Sequence, residues 1–327
     1  MSSSVTARAC LHFVLPTAHT ATEQCAACSS LSSTTYSRSI TMTQASATSK
    51  VWLITGASRG FGALIARDAL LRGDRVIATA RNPQTVIEQL GDHPNLLALK
   101  LDVTSEADAI TVAQQSMARF GRIDVLVNNA GYGLLGAVEE AGADEVKKQF
   151  DTNVFGLLHV TRAVLPVLRA QGSGHVINIS SIGGYASHPG WGVYCATKFA
   201  VEALTEALAT ELAPLGIRAT VVEPGFFRTD FLNADSVVST GKRIEQYAES
   251  VGVMRAMMAD ANHKQPGDPA KLSQAILKLA DDSNPPLRLA LGSDTVAAIQ
   301  KKNKFVENEL QAWMQVSVST NHDDVAA

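Results

Sequence analysis

The chain has 327 residues, 46% hydrophobic and 18% charged, with a formal net charge of -3 at pH 7. Such a composition supplies a large core and has room for one or two domains. It excludes the basic footprint of a nucleic-acid or anionic-membrane binder, and no apolar run approaches the length of a bilayer-crossing helix.

Residues 1–49 are rich in Ser, Thr and Ala and show no sustained periodicity. They carry Arg8 and Arg38 but only one acid, Glu23. Two readings stand: a disordered leader, with Met42 as an alternative start, or a transit-like segment directing the chain to mitochondria. The first is preferred, and with it a cytoplasmic location. His12 and Pro16 interrupt the short apolar stretch around Phe13, which argues against a secretory signal. Cys10, Cys25 and Cys28 fall in this segment, and Cys25-x-x-Cys28 lacks a second ligand pair, so no metal is expected.

From Val51 the pattern becomes regular. Short apolar runs at Val51–Thr55, Arg75–Ala80, Leu96–Leu101, Ile123–Val127, His175–Ser180, Ile217–Glu223 and Leu287–Leu291 read as strands buried on both faces. Between them, helices are expected near Phe61–Leu71, Glu106–Phe120, Phe150–Ala170, Val193–Ala213 and Ala270–Leu279. Gly73, Gly121, Gly172 and Gly216 follow four of these, where a helix stops. The alternation predicts α/β class: a single Rossmann-type, doubly wound parallel sheet of about seven strands with helices on both faces. Residues 50–316 are expected to form this one domain and 317–327 a flexible tail. The segment Phe226–Pro269 is the least regular and is expected to hold short helices.

Ligands of an open α/β sheet bind beyond the carboxyl ends of its strands. The first strand exits into Thr55-Gly-Ala-Ser-Arg-Gly-Phe-Gly62, the second into Arg81, and the third into Asp102 and Val103. The fourth exits into Asn128-Asn-Ala-Gly131, the fifth into Ser180-Ser181 and the sixth into Pro224-Gly225. A glycine loop after the first strand of a β-α-β unit suits a pyrophosphate at the helix start. An NAD site usually has a carboxylate at the end of the second strand. Here the sequence reads Thr79-Ala80-Arg81, so Arg81 and Arg59 are expected to fork a 2′-phosphate, favouring NADP(H) over NAD(H).

Read singly, each feature has an ordinary structural explanation. Tyr194 and Lys198 would be a core tyrosine beside a solvated lysine, Ser180-Ser181 a strand exit, and Asn153 a polar residue inside a helix. Together they resemble the short-chain dehydrogenase/reductase family over residues 50–316. The resemblance rests on TGASRGFG at 55–62, DV at 102–103, NNAG at 128–131 and Asn153 in TNVFG. It continues through SS at 180–181, YCATK at 194–198 and PGFFRT at 224–229.

This resemblance implies that Tyr194 is the catalytic acid/base and Lys198 its partner. It implies Ser181, thirteen residues before the tyrosine, as the catalytic serine. Asn153 would complete the tetrad through a helix distortion and a water relay. The implied cofactor contacts are Gly56, Ser58, Arg59, Gly60, Phe61, Gly62, Arg81, Asp102, Val103, Asn128, Asn129, Ala130, Gly131, Tyr194, Lys198, Pro224, Gly225, Phe227 and Thr229. Phe61 and Phe227 are bulkier than the family's usual residues there and suggest a bulkier wall near the nicotinamide. GDPAKLSQAIL and NPPLRLALGSD resemble a branch that includes steroid- and retinoid-type dehydrogenases.

The chemistry suits these residue types. A free tyrosine has a pKa of about 10, and a nearby ammonium stabilises the phenolate. Tyr194 and Lys198, at i and i+4, share one helix face. Ser181 would donate to the carbonyl oxygen as charge develops. The expectation is an NADP(H)-dependent oxidoreductase interconverting a carbonyl and an alcohol, on a bulky, apolar small-molecule substrate. An NADP(H)-binding regulator without turnover, and an epimerase or dehydratase, are the alternatives. Phe226, Phe231, Leu232, Met254, Met257 and Met258 line an apolar cavity in one reading and are plain core in the other. His188 and Trp191 either meet the substrate or sit on an exposed loop. By resemblance, the two long central helices would pair copies of the chain into a dimer or tetramer.

Overall fold

Short β-branched and aliphatic runs leave no polar face for water, and here they become the strands of a sheet covered on both sides. The computed structural model describes residues 49–233, 236–322 and 324–325. The expectations for residues 1–48, including Cys10, Cys25 and Cys28, lie outside the described residues.

In chain order the first half runs β1 (Val51–Ile54), α1 (Gly60–Leu71), β2 (Arg75–Ala80), α2 (Gln84–Leu90), β3 (Leu96–Lys100), α3 (Glu106–Phe120), β4 (Val125–Asn128) and β5 (Gly133–Leu135). Then come α4 (Ala143–Phe150), a π-helical turn at Asp151–Phe155, α5 (Gly156–Gln171), β6 (Gly174–Ile179), α6 (Gly192–Leu212) and β7 (Ile217–Pro224). The chain continues with β8 (Val237–Ser239), α7 (Val253–Ala261), α8 (Pro269–Asp281), β9 (Arg288–Leu291), α9 (Ser293–Ala312) and α10 (Met314–Val318).

The main sheet has the order β3-β2-β1-β4-β6-β7-β9, every pair parallel. The chain winds outward from β1 to β3, then returns to place β4 on the other side of β1. That reversal opens a crevice at the carboxyl ends of β1 and β4, where ligands of such sheets bind. Alternation along each strand divides the core. Trp52, Ile54, Val76 and Val127 face one layer with Ile65, Leu272 and Ile276 of α1 and α8. Val51, Leu53, Ile77 and Leu126 face the other with Val112, Val160 and Leu168 of α3 and α5.

Besides α2 and α10, which no expected element covers, three features depart from the expected elements. The helix expected over Phe150–Ala170 is preceded by α4 and interrupted by the π turn. A second, two-stranded parallel sheet joins β5 to β8 and ties the irregular segment to the exit of β4. Helix α9 was not expected because, of its residues, Thr295 alone is buried, leaving no apolar stripe to read in the sequence.

Candidate active site

Gly56 leaves β1 at φ +65°, and a Cβ there would sit 3.0 Å from Ala130 Cα. The glycine loop and the β4 exit therefore touch backbone to backbone. A Cβ on Gly62 would overlap the Gly56 carbonyl oxygen, so α1 must start against the loop itself. Thr55 Oγ1 accepts from the amides of Asn129 and Ala130, both at 3.0 Å. Asn129 Nδ2 donates back to the carbonyls of Thr55 and Gly56 at 2.9 and 3.0 Å. Arg59 stands at the N-cap of α1. An arginine has no acceptor for the first helical amides, so they remain available to an anion.

These loops border one cavity of about 1080 Å³. Its cofactor-side wall contains Gly56, Ser58, Arg59, Gly60 and Phe61, then Arg81, Asp102 and Val103. Asn129, Ala130, Gly131, Pro224, Gly225, Phe227 and Thr229 continue it. Two residues expected among the cofactor contacts stand elsewhere. Asn128 turns inward, and its Nδ2 donates to Thr161 Oγ1 and Asn178 Oδ1, both at 2.9 Å, across a buried seam. Gly62 lies behind the loop, outside the cavity wall, as a packing glycine. A strand end exposes alternate residues, and the exit of β4 gives the cavity to Asn129 while it turns Asn128 into the core.

The four polar residues singled out from the sequence come together from three elements. Ser181 leaves β6, and its Oγ accepts from the Gly183 amide at 3.0 Å. Tyr194 and Lys198 lie one turn apart on α6, with Lys198 Nζ 5.8 Å from the centre of the Tyr194 ring. Both are buried, at 8% and 7% exposure, and both line the cavity. Burial pushes the Tyr194 hydroxyl well above its ordinary range, and a hydrogen bond with Ser181 works against that rise. Burial pulls Lys198 down to about 8, which the nearby Glu202 opposes. Lys198 Nζ donates to the Ile179 carbonyl at 2.8 Å.

Asn153 sits in the π turn and is 2% exposed. Its Oδ1 accepts from the Tyr132 amide at 3.1 Å, and its Nδ2 donates to the Tyr132 carbonyl at 3.0 Å and to Thr197 Oγ1 at 3.1 Å. The wider helical turn thus lets one side chain join the β4 exit to α6. The same Oδ1 lies 3.1 Å from where a Cβ on Gly131 would stand, and Lys198 Nζ lies 3.7 Å from that point.

The rest of the cavity is apolar and aromatic. Phe226, Phe231, Leu232, Leu134, Val238 and Trp191 line it. The Tyr194 ring lies 5.5 Å from that of Trp191 and 6.0 Å from that of Phe231. Met254 packs on this cluster and Met258 is buried in it. Met257, one of the residues read as cavity or core, is neither, being 55% exposed. Trp191 is 7% exposed and shares the cavity wall with His188, so the loop before α6 faces the site.

Sequence reasoning missed what holds this wall in place. Glu140, 2% exposed, accepts from the amides of Ala137 and Ile244 at 2.8 Å each and from Arg255 Nη2 at 2.5 Å. Arg255 Nη2 also donates to Thr240 Oγ1 at 3.2 Å. Burial alone would raise the Glu140 carboxyl, but the amides of Ile244 and Ala137 together with Arg255 outweigh it and bring it to about 2. Asp294, at the start of α9, accepts from the Phe226 amide at 2.7 Å and holds the β7 exit. The motif GSD was visible in the sequence, but nothing local indicated its distant partner.

The amides of α1, the two arginines and the backbone-lined wall fit the diphosphate and ribose of a dinucleotide, with space beyond for a second molecule. A model of the short chain dehydrogenase family matches residues 50–237. Among curated proteins, the chain is 37% identical over 274 residues to an oxidoreductase, BOA17, of Botryotinia fuckeliana, covering 83% of this chain and 99% of that one. It is 37% identical to the 3-ketodihydrosphingosine reductase of Bacteroides thetaiotaomicron, covering 81% of this chain and 96% of the relative. Among solved structures, a short-chain dehydrogenase from Streptomyces avermitilis superposes with a TM-score of 0.78 at 44% identity, over 84% of this chain and 100% of that chain. Fold, site geometry and relatives agree: the chain belongs to the short-chain dehydrogenase/reductase family of nicotinamide-dependent oxidoreductases.

Proposed function

We propose that the protein is an NADP(H)-dependent reductase or dehydrogenase that interconverts a bulky, apolar carbonyl compound and its alcohol. The observation that carries this reading is the convergence of Ser181, Tyr194 and Lys198 on a cavity whose remaining wall is aromatic and aliphatic. The reductase relative named for a keto compound supports a ketone as substrate.

When bound, the nicotinamide supplies or takes up the hydride. The residues of this chain bind, orient and move the proton. Ser181 Oγ and the Tyr194 hydroxyl hold the substrate oxygen between them. Tyr194 gives its phenolic proton to that oxygen during reduction and takes it back during oxidation. The Lys198 ammonium, one turn along α6, stabilises the phenolate so formed. Asn153 holds Tyr132 and Thr197, and through Thr197 it steadies the helical turn between tyrosine and lysine. Trp191, Phe231 and Leu232 exclude water and favour an apolar substituent on the carbonyl carbon.

Preference for NADP(H) rests on Arg59 and Arg81, both exposed at the cavity rim, and on the absence of a carboxylate from the Thr79-Ala80-Arg81 exit. Arg81 and its neighbour Asn82 stand where β2 ends. Phe155 and Phe199, exposed on the central helical region, support pairing of copies into a dimer or tetramer. The deciding experiment is a panel of ketones, aldehydes and alcohols assayed with both cofactors. The expected result is NADPH oxidation much faster than NADH oxidation with at least one apolar ketone. Dinucleotide binding with no turnover across the panel would overturn the enzymatic reading.

A further inference from the structure

Behind the catalytic lysine lies an acidic cluster that the reaction as described does not use. Glu202 follows Lys198 by one more turn of α6 and is 4% exposed. Glu223, near the end of β7, is 1% exposed. A single guanidinium serves both carboxylates. Arg288, the first residue of β9, pairs with Glu202 and, at 2.7 Å, donates to Glu223 Oε1. Its Nη2 reaches Glu206 at 2.5 Å, and its Cζ lies 5.7 Å from the Tyr185 ring. This is the arginine of the NPPLRLALGSD motif, whose Asp294 holds the β7 exit.

The cluster reaches the catalytic residues at two points. Glu202 Oε1 and Ser180 Oγ both press on the same face of Gly184, where a Cβ would stand 2.7 Å from Glu202 Oε1 and closer still to the hydroxyl. Ser180 precedes Ser181, so Glu202 packs close to the strand exit that presents the serine. In the other direction, Glu202 is at i+4 from Lys198, so the two side chains share a helix face. The groups that face this pair are Glu206 on α6, Ser180 at the β6 exit, Glu223 on β7, Arg288 on β9 and the Tyr194 ring.

We propose that Glu202 is a positioning residue: paired with Arg288, it supports the ammonium form of Lys198 one turn away and packs against the strand exit that carries Ser181. This rests on the catalytic reading of Tyr194 and Lys198 given above. Burial raises Glu202 to about 7, with Ser180 lowering it, Glu223 raising it further and Arg288 lowering it. A buried carboxylate so balanced needs its arginine to remain charged. Burial also works against the lysine ammonium, and Glu202 is the carboxylate that opposes this. Loss of either Glu202 or Arg288 therefore has the same consequence at Lys198.

The test uses Glu202→Gln, Arg288→Met and the double variant in the full chain. In 13C NMR of chain labelled at lysine Cε, without cofactor, the Lys198 resonance should titrate lower by about one pH unit in each single variant. The double variant should show no further shift, because Arg288 acts through Glu202. In the kcat/KM profile for carbonyl reduction, the alkaline limb should move toward lower pH by the same interval. If Glu202→Gln does not fold, Arg288→Met alone decides through the same resonance. An unmoved Lys198 titration in a folded variant, or additive shifts in the double variant, would overturn the proposal. The NMR arm needs no turnover, so a failed substrate panel and a failed role for Glu202 are separate results.

Discussion

The two walls of the cavity are built by opposite means. The cofactor-side wall is made of backbone: strand exits, a loop at positive φ, and helical amides that only small residues leave accessible. The substrate-side wall is made of side chains, most of them on the segment after β7. It is fixed by the small β5–β8 sheet and by one buried ion pair, Glu140 with Arg255. Backbone geometry tolerates few residue types and so leaves a motif in the sequence. A wall of packed aromatics tolerates many, so its specificity is free to change while the other wall stays as it is.

Substitution at the seam between the walls has the largest expected effect. Tyr194→Phe should lower kcat by about 10²–10⁴-fold, the range for losing a general acid. Dinucleotide binding, measured by thermal shift, should persist, since both walls remain. Unchanged turnover would remove Tyr194 from the mechanism.

On the substrate side, Glu140→Ala strands Arg255 and should cost about 3–5 kcal/mol in the packing of that segment. The expected signature is a raised KM for the carbonyl substrate with cofactor affinity retained. Glu140 also predicts a pH dependence. Its carboxyl is held below the ordinary value, at about 2, so its contribution to stability is complete above the unfolded-state value of about 4.3. That contribution should be lost as pH falls from there through 2, and Glu140→Gln should flatten this part of an acid-unfolding curve. An equal loss of cofactor affinity in Glu140→Ala would show that the two walls are not separable.

The smallest effect belongs to the cofactor side. Arg81→Asp should weaken NADPH by about 1.5–3 kcal/mol, the value of a hydrogen bond to a charged group, with little change for NADH. Isothermal titration with both dinucleotides measures this, and an unchanged ratio would refute a 2′-phosphate contact at Arg81.

Legibility in the sequence followed the same division. The seven strands and the glycine loop were readable because strand burial and loop backbone each restrict residue type at fixed spacing. Tyr194, Lys198 and Ser181 stood out through the family resemblance, which selects Ser181 by its spacing from the tyrosine; periodicity alone placed only the pair on one helix face and the serines at a strand exit. The roles of Glu140, Arg255, Glu202 and Arg288 were not, because their partners are 115 and 86 residues apart and neither pair has a local pattern. Asn128 and Asn129 show the limit most sharply. Two identical neighbours at a strand end face opposite ways, and only the register of β4 against β6 decides which one meets the cavity.

The π turn at Asp151–Phe155 can be viewed as a one-residue insertion accommodated inside an otherwise continuous helix. Deleting any single residue there would let the backbone relax into an ordinary α-helix. Because the turn absorbs the extra residue, its loss would leave the faces of α4 and α5 in place and fall on Asn153, whose bridge from Tyr132 to Thr197 uses the wider turn. The helix would gain regularity and the site would lose that bridge. In this stretch chain length is itself the functional variable: substitutions on the exposed face of the turn are tolerable, but a lost codon is not.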